Sequence, residues 1–410
     1  MTRSIDVELY PHQIEAAASL RSGKILQGGV GCGKSRTAIF YYFKYVCGGT
    51  LSVNGDGAKT KPMKSPIPLY IITTPKKRDK MEWEDDAAKF GIFTRAEDSF
   101  SGLPMVVDSW NNIQKYQDVE KAFFIFDEQR LIGGGAWVKA FLKIAKKNQW
   151  VLATATPGDS WSDYIPVFIA NGFYRNRTEF NDNHVIYKRF SKFPQVDRYV
   201  GTKRLDRHRD NIVVKIDYTT PATKHEHKKV VEYDRELYKF AAKHRWDVFL
   251  DEPCKDAGGV ARVLRKISNG SDDRFEAVRE LVSVTERSII FYNYNYELER
   301  LRTLADLRPL AEWNGHKHED IPKGDSWIYL VQYTSGAEGW NCIKTNVTIF
   351  YSLNYSYKIM TQAKGRIDRL NTPYKDLHYH TIVTDSTIDK AVERALKDKR
   401  EFNERTFIKW

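Results

Sequence analysis

Short apolar runs recur through the first 160 residues of the chain, and each run ends at polar or charged side chains. They cover residues 69–72, 105–107, 122–126 and 150–153, and residues 24–26 form the end of another. Runs of this length without strict alternation predict strands that are buried on both faces. Because helical or loop segments separate them, their order predicts a doubly wound parallel sheet with helices on both faces.

The same pattern begins again in the second half. Residues 288–293, 327–331 and 347–351 are strand-like, and residues 233–250, 260–267 and 297–304 have helical periodicity. We therefore expect an α/β protein of two tandem domains, each with a doubly wound parallel sheet. The first domain is placed at residues 1–205 and the second at residues 206–410. Residues 160–215 mix aromatic and charged side chains and form the expected connection.

A glycine-rich loop follows the first strand. Residues 28–35 fit the pattern G-x-x-x-x-G-K-[ST], whose backbone amides surround the phosphates of a nucleotide. Lys34 would reach the β- and γ-phosphates, and the hydroxyl of Ser35 would hold Mg²⁺. The glycines expected to contact the phosphates are Gly28, Gly31 and Gly33. The alternative is a flexible turn beside an ordinary helix.

An acidic pair ends the run at residues 122–126. Asp127 would bind Mg²⁺, and Glu128 would orient and deprotonate the attacking water. A strand that ends in two acids is common on its own. After a phosphate loop, it predicts the second part of a nucleotide hydrolase.

Polar residues also follow the other strands, where open α/β sheets bind their ligands. We expect several of these residues to contact a nucleic-acid backbone, with simple turn chemistry as the alternative. The candidates are Thr74, Lys76, Ser109, Trp110, Tyr292, Thr334 and Ser335.

Two further motifs lie at opposite ends of the sequence. Gln13 precedes the phosphate loop by about twenty residues, and its amide could pair with adenine. Residues 362–369 fit Q-x-x-G-R-x-x-R, which places Arg366 and Arg369 three apart and predicts that they share one helical face. Two guanidinium groups suit the charge of a transferring phosphoryl group, although arginine pairs on helices are usually solvated.

Composition supports a polyanionic partner. The net charge is +12 and the pI is about 9.2, as expected for a protein that displaces counterions from phosphates. The four cysteines are scattered, which argues against structural zinc and disulfides and for a reducing compartment. No apolar stretch is long enough for a membrane span. We expect a protein of the bacterial or infected-host cytoplasm with no membrane partner.

Taken in order, these motifs resemble those of the superfamily 2 helicases and translocases. Residues 335, 336, 339 and 341, together with residues 267–270 and 387–389, are similar to the Swi/Snf-like branch. The compact length resembles the small Swi/Snf-like helicases of bacteriophages. The resemblance implies two tandem RecA-like domains with an ATP cleft between the lobes. It also implies that Gln13, Gly339 and Gln362 contact the nucleotide and that Arg366 and Arg369 act as arginine fingers.

The expected function is ATP-dependent movement along DNA, single-stranded or duplex, in replication, recombination or repair. ATP and Mg²⁺ are the expected cofactors. Lys34, Glu128, Arg366 and Arg369 are the expected catalytic residues. The alternatives are an ATP-gated nucleic-acid clamp or loader without motor activity, and an RNA helicase. A small-molecule kinase would leave the second half unexplained.

Overall fold

The computed structural model describes residues 5–398 except residues 30, 129, 130, 132, 156, 159, 190–193, 217, 219–221, 337–341 and 370. It divides the chain into two compact units, Met1–Thr219 and Thr220–Trp410. Each unit is mixed α/β and holds one six-stranded sheet, whose neighbouring strands are all parallel. Two parallel sheets flanked by helices are consistent with two RecA-like lobes.

The strands of the first unit are β1 (Asp6–Val7), β2 (Ile25–Gln27), β3 (Ser52–Val53), β4 (Leu69–Thr73), β5 (Met105–Ser109), β6 (Phe123–Asp127), β7 (Gln149–Thr154), β8 (Val185–Tyr187), β9 (Val196–Tyr199) and β10 (Val213–Lys215). Its α-helices are α1 (Pro11–Ser19), α2 (Lys34–Phe40), α3 (Pro75–Asp79), α4 (Glu82–Ala88), α5 (Ala136–Lys147), α6 (Trp161–Ala170), α7 (Arg177–His184) and α8 (Thr202–Ile212). A π-helical segment, Tyr41–Val46, continues α2, and a 3₁₀ segment, Trp110–Tyr116, follows β5.

The strands of the first sheet lie in the order β10-β2-β7-β6-β4-β5. Successive residues of β6 enter opposite cores: Phe123 and Ile125 pack on the side of α1 and α2, and Phe124 and Phe126 on the side of α5 and α6. This is why the strands are continuous apolar runs, since both faces are covered. β10 pairs with β2, so the first sheet reaches beyond the division expected after residue 205.

The strands of the second unit are β11 (Thr223–Val231), β12 (Trp246–Asp247), β13 (Glu252–Pro253), β14 (Arg287–Tyr292), β15 (Leu310–Trp313), β16 (Trp327–Gln332), β17 (Val347–Phe350) and β18 (Asp376–Thr384). Its α-helices are α9 (Arg235–His244), α10 (Ala257–Asn269), α11 (Asp272–Val284), α12 (Asn295–Leu301), α13 (Tyr333–Gly336), α14 (Tyr357–Lys364) and α15 (Thr387–Lys397), and a 3₁₀ segment spans Arg302–Asp306.

The second sheet has the order β11-β18-β17-β14-β16-β15. Its central strands again alternate between two cores, because Ile289 and Phe291 pack on one face and Ile290 and Tyr292 on the other. Within the described parts of the chain, no helix combines the length and the apolar character needed to cross a membrane.

Candidate functional site

The glycine-rich loop and the acidic pair meet at the carboxyl edge of the first sheet, where β7 lies between β2 and β6. The amide of Gly28 donates to the carbonyl oxygen of Thr154 at 3.2 Å, and the amide of Glu128 donates to that of Ala153 at 2.8 Å. Two adjacent carbonyls at the end of β7 therefore bind the backbone amides of the first loop residue, Gly28, and of the second acid, Glu128. A phosphate loop and a pair of carboxylates at one sheet edge are the parts that nucleotide hydrolysis needs.

Two positions of the loop require glycine. Gly33 has a φ of +81°, and a Cβ there would lie 1.8 Å from Nε2 of Gln13. A Cβ on Gly28 would lie 2.4 Å from Sγ of Cys32. Gly31 also has a positive φ, of +87°. Glycine at positions 28 and 33 thus lets the loop pack closely against Cys32 and Gln13, and a Cβ on Gly29 would meet nothing within 4 Å.

Lys34 begins α2 and lies against the loop. Its Nζ donates to the carbonyl oxygens of Gly28 and Gly29, both at 2.8 Å. Ser35 follows in the first turn and is partly exposed. The first-turn amides of a helix have no carbonyl partner inside the helix and carry partial positive charge, so they add to the attraction for an anion.

Gln13 packs against the glycine-rich loop and forms hydrogen bonds with its backbone. Its side chain is 1% exposed, its Oε1 accepts from the amide of Tyr10 at 2.9 Å, and its Nε2 donates to the carbonyls of Cys32 and Gly33, each at 3.4 Å. In this arrangement both ends of the amide are bonded within the chain. To contact adenine, the Gln13 amide would have to break these hydrogen bonds and form new ones with the base.

Asp127 ends β6 and is 2% exposed. Its Oδ2 accepts from Oγ1 of Thr73 at 2.6 Å, Nε1 of Trp83 at 3.1 Å and Nζ of Lys77 at 2.8 Å. Burial by itself raises the pKa of Asp127, but the positive charge of Lys77 and these hydrogen bonds outweigh it, so the pKa lies below its ordinary value. Asp127 is therefore ionised at neutral pH and able to bind a cation.

Glu128 has an unusual backbone conformation, with a φ of +60°. For a residue other than glycine, a left-handed backbone conformation is costly in free energy. Such conformations cluster at functional sites. Its Oε2 is buried and has no hydrogen-bond partner among the residues that the structure describes. An ionised or polar oxygen without a partner is expected where a water or substrate binds, which fits the role of a general base.

The candidates for nucleic-acid contact divide into two groups. Thr74 and Lys76 are partly exposed beyond β4, and Thr334 and Ser335 lie at the surface beyond β16. The side chains of the other three candidates are buried: Ser109 is 1%, Trp110 1% and Tyr292 0% exposed. Trp110 instead donates from Nε1 to the main-chain oxygen of Asp127 at 2.9 Å. We therefore leave these three out of the proposed nucleic-acid surface.

The structure does not place Arg366 and Arg369 on a helix, although their spacing predicted one. Gln362 lies in α14 and is 2% exposed, but α14 ends at Lys364, so Arg366 and Arg369 do not share a helical face. Beyond the helix, Ile367 enters the core, and the carbonyl of Arg366 accepts from the amide of Cys342 at 3.0 Å. Both arginines are nearly buried, at 4% and 8% exposure. Gly339 lies outside the described residues.

A buried polar network underlies the second sheet. Arg274 is fully buried and donates to Asp389 at 2.9 Å, and it also donates to the carbonyls of Tyr351 and Ile382 at 2.6 Å each. Asn269 donates to the buried carboxylate of Glu297 at 2.8 Å. Residues 267–270 and 387–389, which carried part of the family resemblance, thus contribute to the internal framework of this unit.

Sequence reasoning missed the three side chains that surround Asp127. Lys77 stands next to Lys76 in the run Thr74-Pro75-Lys76-Lys77, and nothing in the run indicates which lysine turns inward. Successive helical residues point about 100° apart, so adjacent lysines on α3 face different surroundings. Thr73 follows an apolar run and Trp83 stands between two glutamates, and neither pattern indicates contact with Asp127.

Comparison with known proteins identifies no relative: no protein-family model matches the chain, and no curated protein is significantly similar to it. Function is therefore inferred from the chemistry of the side chains above. Across the described residues, no cluster of three or more His, Cys, Asp or Glu side chains could hold a metal ion.

Proposed function

We propose that this protein is a nucleic-acid-stimulated ATPase that uses hydrolysis to move along DNA. One observation carries the proposal: neighbouring carbonyls of β7 bind the amides of Gly28 and Glu128, at 3.2 and 2.8 Å. This brings a glycine-rich loop that ends in Lys34 and Ser35 to the same sheet edge as two adjacent carboxylates. A strand–loop–helix with this ending suits a nucleoside triphosphate better than any other ligand.

The residues of the first unit divide the chemistry between them. Lys34 exchanges the loop carbonyls for phosphate oxygens and neutralises their charge, and the loop amides orient the phosphates. Ser35 and Asp127 would hold Mg²⁺, which would neutralise charge that develops on the phosphates. Glu128 orients the attacking water and takes its proton as the terminal phosphate leaves.

The second unit completes the site in this proposal. Arg366 and Arg369 supply charge to the phosphoryl group that is being transferred, and they reach it when ATP brings the lobes together in a closed state. Because ATP favours closure and ADP does not, each cycle would shift the contacts of one lobe along the nucleic acid relative to those of the other. Both side chains are nearly buried, so this role requires that closure exposes them to the nucleotide.

Nucleic acid as the partner is supported by charge. The chain carries twelve more basic than acidic residues, and exposed cations are dense from β8 to α8, where Lys188, Arg189, Arg198, Lys203, Arg204 and Arg207 lie at the surface. Thr74, Lys76, Thr334 and Ser335 lie near strand ends and offer hydroxyl and ammonium groups to a phosphate backbone.

The deciding experiment measures ATP hydrolysis with single-stranded DNA, duplex DNA, RNA and no polymer, each at two salt concentrations. We expect DNA to stimulate the wild-type rate, stimulation to weaken at the higher salt, and Lys34→Ala to abolish hydrolysis with every polymer. Hydrolysis by Lys34→Ala near the wild-type rate would contradict the proposal. A parallel assay of ATP-driven displacement of a triplex-forming strand separates a motor from a clamp, and stimulation by RNA alone would favour an RNA helicase.

A further inference from the structure

One lysine lies against both acids of the candidate ATPase site. Nζ of Lys77 is 2.8 Å from Oδ2 of Asp127 and 3.7 Å from Oε1 of Glu128. The ammonium group thus forms ion pairs with both acids. Oδ2 of Asp127, which it contacts, also accepts hydrogen bonds from Thr73 and Trp83.

The helix that carries Lys77 lies at the surface of the unit. None of the residues of α3 is buried. Arg78, also on α3, places its guanidinium 2.7 Å from Asp79 and 3.4 Å from Asp108. Partly exposed ion pairs contribute little free energy and exchange readily. An anion that binds α3 can therefore compete with these carboxylates for the charges of Lys77 and Arg78.

The same short helix carries the first unit's candidate contacts to nucleic acid. Thr74 is its N-cap, and the Thr74 hydroxyl accepts from the amide of Lys77 at 3.4 Å. Lys76 precedes Lys77 and is partly exposed. A backbone phosphate bound by Thr74 and Lys76 would lie within one helical turn of Lys77 and would compete with Asp127 and Glu128 for its charge.

We propose that Lys77 couples nucleic-acid binding to hydrolysis, by holding Asp127 and Glu128 in an ion pair until a phosphate backbone binds α3. This inference rests on the proposed function. The ammonium group and Mg²⁺ are both cations that compete for Asp127, so the ion pair opposes binding of a magnesium-bound nucleotide. It also places the ammonium group 3.7 Å from Oε1 of Glu128, on the carboxylate that must orient the attacking water. Movement of Lys77 toward the phosphate backbone releases both acids.

The test compares three variants of the full-length protein with the wild type, with and without DNA. Lys77→Met removes the charge and keeps the length of the side chain, Lys77→Arg keeps the charge, and Lys80→Met is the matched control at the end of the same helix. We expect Lys77→Met to raise the DNA-independent rate by about 5- to 150-fold, the usual range of coupling between two sites. The stimulation ratio falls by the same factor. Lys77→Arg and Lys80→Met should keep the low basal rate.

Binding provides a readout that does not depend on turnover. Calorimetry with a non-hydrolysable ATP analogue, in the absence of DNA, should show tighter binding to Lys77→Met than to wild type when Mg²⁺ is present and equal binding when it is chelated. In the wild type, DNA should tighten binding of the analogue with Mg²⁺ and leave binding without Mg²⁺ unchanged. This comparison needs no variant, so it stands even if Lys77→Met does not fold.

The outcomes separate this inference from the proposed function. A stimulated wild type, combined with a folded Lys77→Met variant whose basal rate is unchanged or lower, overturns the role of Lys77 alone. Equal effects of DNA on analogue binding with and without Mg²⁺ overturn it as well. A wild type that hydrolyses no ATP with any polymer overturns the proposed function, and the inference with it.

Discussion

The indole Nε1 of Trp110 donates a 2.9 Å hydrogen bond to the main-chain oxygen of Asp127, which ties the start of the segment after β5 to the acidic tip of β6. Trp110 is 1% exposed and stacks on Phe126 with ring centroids 5.6 Å apart. The tryptophan that the sequence offered as a nucleic-acid contact therefore fixes the backbone of a candidate metal ligand.

Replacement of Trp110 by Phe should destabilise the protein without weakening DNA binding. The buried carbonyl of Asp127 would lose its donor, at a cost of about 1–3 kcal/mol. Urea denaturation measures the loss, and Trp246→Phe is the control, because its indole donates to the exposed carboxylate of Asp251. A Trp110→Phe variant with wild-type stability and several-fold weaker DNA binding would restore Trp110 to the nucleic-acid surface.

Glu128→Gln should bind ATP and fail to cleave it. An amide keeps the size of the side chain and cannot take the proton of the attacking water, so the rate should fall by about 10²- to 10⁴-fold. Rapid-quench and nucleotide-binding assays on the same preparation test both halves of this prediction. Glu120→Gln, an exposed change in the same unit, should leave the rate unaltered. Loss of nucleotide binding by Glu128→Gln would show that Glu128 binds rather than catalyses.

Arg369→Ala should lower kcat by about a thousandfold or more while KM changes little, since an arginine finger acts on charge that develops in the transition state. Arg279→Ala, which removes an exposed arginine paired with Asp306, is the control. Arg369→Lys should recover only part of the rate, because it keeps the charge and loses the planar fork. A rise in KM at constant kcat would make Arg369 a binding contact instead.

Asp389→Asn should strongly destabilise the second unit. Asp389 accepts from Arg274 at 2.9 Å and from the amide of Thr384 at 2.9 Å, and its loss leaves a buried guanidinium without its counter-charge, at a cost of about 3–5 kcal/mol. Asp325→Asn is the control, because the Asp325 side chain is 96% exposed, and it should cost no more than about 0.5 kcal/mol.

The same carboxylate predicts a dependence of stability on acid. Burial by itself raises the pKa of Asp389, but Arg274, Arg265 and the bonds from Thr384 outweigh it, so the pKa lies below its ordinary value in the folded protein. The unfolded chain then takes up a proton at higher pH than the folded chain does. The contribution of Asp389 is complete above about pH 4 and declines as the pH falls further. In Asp389→Asn, this part of the acid dependence should be missing.

Four histidines on β11 and β18 predict a second pH effect. His225 and His227 lie beside His378 and His380, and the rings of His227 and His380 stack at 4.6 Å. Burial, with the neighbouring His227 and His378, lowers the pKa of His380 to about 4. Because the unfolded chain binds a proton near pH 6.5, stability should fall as the pH drops from about 6.5 to 4.

His380→Gln should reduce that fall, and His316→Gln, at an exposed position, should not. Thermal unfolding of both variants and the wild type between pH 7.5 and 4.5 provides the comparison. Identical pH profiles for wild type and His380→Gln would exclude a titrating His380 in the folded protein.

Most strands of the two sheets were predictable because their signal is local, whereas β10, β11, β15 and β18 were not predicted. Each central strand is covered on both faces, so each is an apolar run that needs no knowledge of its neighbours, as residues 122–126 and 327–331 illustrate. The glycine-rich loop was predictable for a similar reason, since a tight backbone path requires particular residues at fixed spacing, as Gly33 shows.

The helical placement of Arg366 and Arg369 was wrong because spacing alone does not say where a helix ends. α14 stops at Lys364, and Ile367 beyond it is buried in the core. Trp110 and Tyr292 were proposed as surface contacts because strand ends in such sheets bind ligands. Whether a side chain at a strand end turns outward or into the core depends on the elements packed over it.

By itself, the sequence determined that the chain forms two parallel α/β sheets and that the first carries a glycine-rich loop and an acidic pair, because these features depend on residues close together in the chain. Only the tertiary structure decided that Lys77 rather than Lys76 meets Asp127, and that Arg274 meets Asp389. These pairs are 50 and 115 residues apart, and which charges meet depends on how the elements pack.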